Sequence, residues 1–156
     1  MRLRARTFTH GHVIEPESGA VVDEAVAAWL PAPRTYTREP TLEVTCHGGR
    51  AATAAVLQAI LSAGARVAEP GEFTLRAFLN GRIDLAQAEA VRDAVFAPSA
   101  DAVATAIAQV NGALSRVVRE ICEPLADLAA RIEGSLDFAD DGVPDVDRDH
   151  AHAILT

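Results

Sequence analysis

Lysine is absent from the 156-residue sequence, and all 14 of its basic residues are arginine. This absence excludes a phosphate-binding loop of the Walker-A type, because the cation of that loop is a lysine. It also excludes catalysis through a lysine Schiff base. We therefore do not expect this chain to bind and hydrolyse a nucleotide through such a loop.

Cysteine and long apolar runs are also scarce. The two cysteines, Cys46 and Cys122, do not have the spacing of a zinc or thioredoxin motif. No apolar run approaches the ~20 residues of a membrane helix, and the opening MRLRARTFTHG lacks the apolar segment of a signal peptide. We expect two buried free thiols, no membrane partner and a cytoplasmic location.

The formal net charge of −8 is unevenly distributed along the chain. Residues 1–92 carry 10 arginines and 10 acidic residues, whereas residues 93–156 carry 4 arginines and 12 acidic residues. An acidic half repels a phosphate backbone. Direct nucleic-acid binding by this chain alone is therefore not expected.

Alternating side chains predict a small sheet in the first half of the chain. An alanine-rich helix is expected from about Arg50 to Ala63, with Gly64 as its left-handed stop. Together they predict an α+β domain over residues 1–83, a small mixed sheet with helices. The strands are expected at residues 6–15, 21–30 and 41–46, with a short further strand at 65–69.

Glu43 lies on one face of the strand 41–46 with Thr41 and Thr45, while Leu42, Val44 and Cys46 form the other face. The plain interpretation is a solvated carboxylate, the usual situation of a glutamate. The alternative is a carboxylate that accepts paired N–H donors from a flat heterocycle such as an aminopyrimidine or pterin. The residues alone leave both interpretations open.

Arg82 lies at a tightly punctuated break between two helices. The short helix EFTLRAFLN is expected to stop at the Asn-Gly pair of residues 80–81, which favours the left-handed conformation. Asp84 then caps the next helix, and Gln87 completes a capping box. This arrangement holds an arginine in a site-like position, although a structural hinge or a pairing with Asp84 has the same sequence.

The CHGG motif at residues 46–49 leads from a strand into a helix. Backbone N–H groups at a helix start bind anions, so an anion or cofactor role and a plain turn both fit. A catalytic pair of Cys46 and His47 is disfavoured, because neighbours on a strand point to opposite faces.

Two histidines, His10 and His12, share a face of the first strand with Phe8 and Ile14. They would supply half of a metal site, but no third ligand is evident, and a surface pair is the simpler interpretation. We therefore predict neither a metal site nor a catalytic residue.

The second half of the chain has a helical pattern. Apolar residues from Val103 to Ile132 recur at spacings of three and four, which predicts a long amphipathic helix whose apolar side needs a partner. Pro124 interrupts this pattern, so we expect a kink there or the junction of two helices. The acidic segment 137–150 is predicted to be an exposed linker or loop.

Two long motifs resemble a known family. The segments PRTYTREPTLEVTCHGG and ARVAEPGEFTLRAFLNGRIDLAQAEAV, followed by GSLDF, are similar to the N-terminal part of the MnmE (TrmE) family of tRNA-modification GTPases. The match runs from about Thr9 to about Phe138, and the motif around PGEF and RAFLN is long and specific.

The resemblance implies a fold related to tetrahydrofolate-binding aminomethyltransferases. It also implies dimerisation and binding of 5-formyl-tetrahydrofolate, a stand-in for the 5,10-methylene form. The family's folate-contacting glutamate before HGG falls on Glu43, and its lysine in the FLN turn falls on Arg82. In the family, a GTPase domain that uses GTP, potassium and magnesium is inserted in a helical domain. With the FAD-dependent protein MnmG, the complex places an aminomethyl-type group on the wobble uridine of certain tRNAs.

Three departures from the family pattern qualify these expectations. The family opens with a strand, a glycine-rich loop and a folate-contacting arginine that have no counterpart here. Arg82 replaces the usual lysine, which keeps the charge but changes the shape of the donor. The GTPase motifs and the family's C-terminal cysteine motif are also not present in this sequence.

We therefore expect residues 1–83 to bind a tetrahydrofolate derivative and to form a homodimer, and residues 84–156 to form the first part of a helical domain. Contact with tRNA is expected only through the complete complex with MnmG, and GTP hydrolysis is not expected of this chain alone. The alternative is a purely structural, dimer-forming remnant whose folate pocket no longer functions.

Overall fold

The computed structural model of the chain describes residues 3–137 and 147–155. The chain divides into two compact units, Met1–Ile83 and Asp84–Thr156. The first combines a sheet with helices and the second consists of helices, so the predicted α+β class with a long-helix extension is confirmed. The elements are β1 (Phe8–Ile14), β2 (Val21–Leu30), β3 (Thr41–Thr45), α1 (Arg50–Ser62), α2 (Glu72–Leu79), α3 (Leu85–Phe96), α4 (Ala100–Val110), α5 (Ala113–Asp137) and α6 (Arg148–Leu155).

The three strands form a sheet in the order β1-β2-β3, and both ladders are antiparallel. A parallel bridge between Ala5 and Trp29 adds the chain before β1 to this sheet. Directly paired residues share a face, so the register places Phe8, Ala28 and Glu43 in one row. The predicted strand positions at 6–15, 21–30 and 41–46 are thus confirmed to within one or two residues at each end.

Helix α1 covers one face of this sheet. Leu42 and Val44 of β3 and Ile60 of α1 line the same cavity of about 330 Å³. On β1, Phe8, His10, His12 and Ile14 alternate as exposed residues with half-buried ones, so they share the opposite face. Val56 of α1 is 5% exposed, and burying such a side chain stabilises the fold by roughly 1.5–3 kcal/mol.

The predicted strand at residues 65–69 is wrong. This segment has no regular structure, and two of its backbone polar groups bond to side chains instead of a neighbouring strand. Arg66 Nη1 donates to the Val67 carbonyl at 3.1 Å, and the Glu69 N–H donates to the Glu72 carboxylate at 2.8 Å. Arg66 also forms a bidentate ion pair with Glu72, in which Nη1 donates to Oε2 at 2.8 Å and Nη2 donates to Oε1 at 2.7 Å.

The capping box at the start of α3 is confirmed. The Gln87 N–H donates to Asp84 Oδ1 at 2.9 Å, and Gln87 Oε1 accepts from the Asp84 N–H at 3.0 Å. Gln87 Nε2 also donates to the Val110 carbonyl at the end of α4, at 2.7 Å. One side chain therefore fixes the beginning of α3 and ties it to the end of the next helix.

The predicted single helix from 103 to 132 is interrupted at a position that we did not predict. Helix α4 ends at Val110, and Gly112 has a φ of +82°, so a left-handed glycine closes the helix there. Pro124 lies inside the continuous helix α5, so of the two expected alternatives the junction of two helices is wrong, while the kink stays a prediction.

The predicted acidic linker at 137–150 falls mostly on residues 138–146, which lie outside the described residues. Its last part is wrong, because residues 148–150 belong to α6. The Asp147 carboxylate accepts the Asp149 N–H at 3.0 Å and so caps that helix.

Within residues 3–137 and 147–155, the helices are too short or too polar to cross a bilayer.

We predict that Gln87→Ala destabilises the helical unit by about 1–2 kcal/mol. The substitution removes the reciprocal bond of the capping box and leaves the Val110 carbonyl without its donor. Urea denaturation followed by circular dichroism measures the loss. Gln109→Ala on α4 is the matched control, because no hydrogen bond of its side chain is seen, and its effect should stay within about 0.5 kcal/mol. Equal effects of the two substitutions would contradict the assigned role of Gln87.

Candidate functional site

Arg82 follows a helix stop of the Schellman type. The Gly81 N–H donates to the Phe78 carbonyl and the Arg82 N–H donates to the Ala77 carbonyl, both at 2.9 Å. Gly81 has a φ of +65°, a conformation that suits glycine. The predicted stop at the Asn-Gly pair is confirmed, and it fixes the backbone from which the Arg82 side chain projects.

The loop 31–40, between β2 and β3, positions the guanidinium of Arg82. Nη1 of Arg82 donates to the Thr35 carbonyl at 2.8 Å. The guanidinium carbon lies 5.3 Å from the centroid of the Tyr36 ring, a cation–π contact. Arg82 is exposed. It forms no ion pair with a described residue, so the alternative of a pairing with Asp84 is not seen, and the Thr35 carbonyl and the Tyr36 ring fix its position.

The loop 31–40 is itself held against α2. The Asn80 side chain donates to the Thr37 carbonyl at 2.7 Å, and Arg76 forms an ion pair with Glu39 at 2.7 Å. The Tyr36 hydroxyl lies 3.2 Å from the Thr74 hydroxyl. Two threonines of the loop, Thr35 and Thr37, are buried. These contacts of the loop have no signal in the sequence, because a proline-rich loop carries no periodic pattern.

Glu43 is exposed in the middle of β3. Its backbone pairs with Ala28, and its side chain makes no hydrogen bond or ion pair within the part of the chain that the structure describes. No hydrogen bond or ion pair among these residues joins Glu43 to Arg82 either. A ligand that uses both side chains must therefore bridge them.

The HGG turn is anchored by a carboxylate of β2. Asp23 accepts the His47 N–H at 3.0 Å through one oxygen and lies 2.8 Å from His47 Nδ1 through the other. This hydrogen bond to the ring raises the pKa of His47 above its ordinary 6.5. The His47 N–H, and then its ring, lower the pKa of Asp23 below its ordinary 3.8. The imidazole of His47 thus bonds to Asp23 and not to Cys46. Both cysteines are free thiols, but Cys46 is half-buried and Cys122 is exposed, so the prediction that both are buried is wrong.

The histidines of β1 form a surface pair. The rings of His10 and His12 lie 6.2 Å apart in an edge-on arrangement, and His10 Nε2 lies 2.6 Å from Glu24 Oε1. Among the described residues, no group of three or more His, Cys, Asp or Glu is arranged to hold a metal ion.

Two family models match this chain. The model for the GTP-binding protein TrmE N-terminus matches residues 1–82, and the model for the MnmE helical domain matches residues 85–156. The chain therefore belongs to the MnmE (TrmE) family and contains its N-terminal and helical regions.

Curated relatives agree with this assignment. The chain is 47% identical over 147 residues to the tRNA modification GTPase MnmE of Alkaliphilus oremlandii, a match that covers 94% of this chain and 32% of the relative. It is 47% identical to the protein of the same name from Lactiplantibacillus plantarum, over 88% of this chain and 30% of the relative. The protein of that name from Heliobacterium modesticaldum is 46% identical over 91% of this chain. The chain thus spans about a third of the length of these relatives.

We predict that Asp23→Asn lowers the pKa of His47 towards its ordinary value of 6.5, because the substitution removes the carboxylate that stabilises the imidazolium. An NMR titration of the histidine ring protons measures this pKa. Glu69→Gln removes a carboxylate that makes no contact with His47 and should leave the value unchanged. An unchanged His47 pKa in Asp23→Asn would show that the hydrogen bond does not persist in solution.

The same pair sets a pH dependence of stability. The His47 contribution is fully present below pH 6.5 and is lost as the pH rises through the raised pKa. The Asp23 contribution is present above pH 3.8 and is lost as the pH falls through the lowered pKa. The unfolding free energy of wild type should therefore fall more steeply than that of Asp23→Asn between pH 6.5 and the raised pKa of His47.

Proposed function

We propose that this chain is the folate-binding and dimer-forming part of a tRNA-modification GTPase. Its ligand is a tetrahydrofolate one-carbon derivative, either 5-formyl- or 5,10-methylene-tetrahydrofolate. The observation that carries the proposal is the fixed, exposed guanidinium of Arg82, held by the Thr35 carbonyl and the Tyr36 ring. Membership of the MnmE family supports the choice of ligand class.

Glu43 is the second ligand-contacting residue of the proposal. The Glu43 carboxylate has no partner among the described residues, so both of its oxygens are available for the paired N–H donors of a pterin-like ring. Each such bond to a charged group contributes about 1.5–3 kcal/mol. Arg82 supplies a favourable charge to the same ligand, and its fixed position lowers the entropy lost on binding.

The whole protein to which this region belongs carries the remaining steps. We propose that it acts in the cytoplasm with MnmG on the wobble uridine of tRNA, and that tRNA contacts only the complete complex. GTP, potassium and magnesium belong to the GTPase domain of such a protein. The chain described here contributes folate binding and dimerisation and does not hydrolyse GTP alone.

We predict that 5-formyl-tetrahydrofolate stabilises the wild-type chain and that Glu43→Gln weakens its binding. A ligand at 100 times its dissociation constant adds about 2.7 kcal/mol to stability, which a thermal melt detects. The Gln amide replaces an acceptor oxygen by a donor that faces an N–H of the ligand. Affinity should fall roughly 30- to 1000-fold, equivalent to ~2–4 kcal/mol.

Two further variants control this experiment. Glu17→Gln removes an exposed carboxylate from a turn and should bind as wild type does. Arg82→Lys keeps the charge and should weaken binding less than Glu43→Gln. If Glu43→Gln binds as tightly as wild type, Glu43 is not a ligand contact. If wild type does not bind the folate, the function proposed here is wrong, and the chain is a structural remnant.

The sheet leaves apolar side chains available for self-association. Phe8 is 78% exposed at the edge strand β1, and Ile14 is exposed at the other end of that strand. Exposed apolar patches and unpaired strand edges are common sites of association. They support a homodimer in which a second copy covers β1.

We predict a dimer in analytical ultracentrifugation at tens of micromolar, with Phe8→Glu shifted towards the monomer because a charge would be buried at the contact. Leu57→Glu on α1 is the matched control, since Leu57 is also exposed but lies on the helix that covers the opposite face. A monomer in the wild type would overturn the dimer, and equal effects of the two variants would overturn the assigned surface.

A further inference from the structure

Three arginines, Arg6, Arg38 and Arg82, surround the loop 31–40 and bond to backbone carbonyls instead of carboxylates. All three are exposed, and none forms an ion pair with a described residue. We call these three residues the arginine cluster.

Arg6 and Arg82 donate to the carbonyls of two consecutive residues of the loop. Nη1 and Nη2 of Arg6 donate to the Arg34 carbonyl at 3.3 Å, and Nη1 of Arg82 donates to the Thr35 carbonyl at 2.8 Å. The Cα atoms of adjacent residues are only ~3.8 Å apart across a trans peptide. The two guanidinium groups therefore approach the same short stretch of backbone.

Arg38, the third arginine of the cluster, contacts the turn at residues 80–81. Its Nη1 donates to the Asn80 carbonyl at 3.1 Å and lies 3.6 Å from the position that a Cβ on Gly81 would take. Its backbone N–H donates to the Thr35 carbonyl, the same oxygen that accepts from Arg82. The guanidinium of Arg38 thus lies beside the turn that carries Arg82.

No described carboxylate forms an ion pair with an arginine of the cluster. The acid of the loop, Glu39, is paired with Arg76 at 2.7 Å, and Arg66 is paired with Glu72. Like charges that are held near one another repel, and this repulsion is relieved when an anion binds. Each guanidinium also keeps free N–H donors in a fork that fits carboxylate oxygens.

We propose that the arginine cluster binds the chain of carboxylates in the γ-linked glutamyl tail of a polyglutamylated folate. This inference rests on the proposed folate function, because Arg82 belongs both to the cluster and to the proposed folate contact. Each added glutamyl unit contributes one carboxylate, so a longer tail reaches more of the cluster. The compact cluster on a chain of net charge −8 favours a short polycarboxylate over RNA, which needs an extended basic surface.

The test compares the affinity of pentaglutamyl and monoglutamyl 5-formyl-tetrahydrofolate for the full chain by calorimetry. The free penta-γ-glutamate peptide and a single-stranded RNA of about 20 nucleotides are separate probes. We expect the pentaglutamyl form to bind roughly tenfold more tightly, with the ratio shrinking at higher salt. In Arg38→Gln the ratio should approach one, because the amide can still bond to the Asn80 carbonyl but carries no charge. Arg116→Gln should retain the wild-type ratio, because Arg116 of α5 is exposed and forms no ion pair with a described residue.

The outcomes separate this inference from the proposed function. Equal affinities of the two folates, or a ratio that survives in Arg38→Gln, would overturn the tail site while leaving folate binding intact. If no folate binds but the free peptide still binds through Arg38, the cluster is a polycarboxylate site and the folate function is wrong. RNA binding that depends on Arg38 and is tighter than peptide binding would also overturn the proposal, as would a failure of every probe to bind. Circular dichroism of each variant verifies that it is folded.

Discussion

The contact between the loop 31–40 and α2 is the constraint on which the proposed site depends. Asn80 is the C-cap residue of α2, and its side chain donates to the Thr37 carbonyl. Thr35 and Thr37 are buried. A buried polar side chain is costly unless it is hydrogen-bonded, and the Thr35 hydroxyl meets this need through the Glu39 carbonyl at 2.7 Å. Because the buried Thr35 hydroxyl has its own hydrogen bond, the Thr35 carbonyl remains available to accept from the exposed Arg82 guanidinium.

The predictions that succeeded depend on interactions between residues close in sequence. The Schellman stop at Gly81 and the capping box of Asp84 and Gln87 are each closed within a few residues, so their residue types identify them. Likewise, the alternation of apolar and polar residues at 41–46 correctly predicts strand β3, which pairs with β2. The class of the fold follows from such local signals, and the family resemblance added the candidate positions Glu43 and Arg82.

The predictions that failed depend on partners far away in sequence. The predicted strand at 65–69 fails because no described strand pairs with it, and the Arg66 and Glu72 side chains bond to two of its backbone groups instead. In the helical unit, the regular apolar spacing hid the break at Gly112, since a glycine can end a helix without disturbing the pattern around it. The bond from Gln87 to the Val110 carbonyl, 23 residues away, has no signature in the sequence. The bond that fixes Arg82 also has no signature in the sequence, because its acceptor, the Thr35 carbonyl, lies 47 residues away.

Ala77 places a limit on how this surface can vary. Its side chain is 0% exposed, and its carbonyl accepts the N–H of Arg82. Any larger side chain at this position would push α2 away from its surroundings, and the displacement would be passed on to the following turn, since protein interiors are close-packed. The orientation of the Arg82 guanidinium on the surface therefore depends on the volume of the buried Ala77 methyl group. In this part of the chain, the size of the buried side chain at position 77 and the position of Arg82 on the surface cannot change independently.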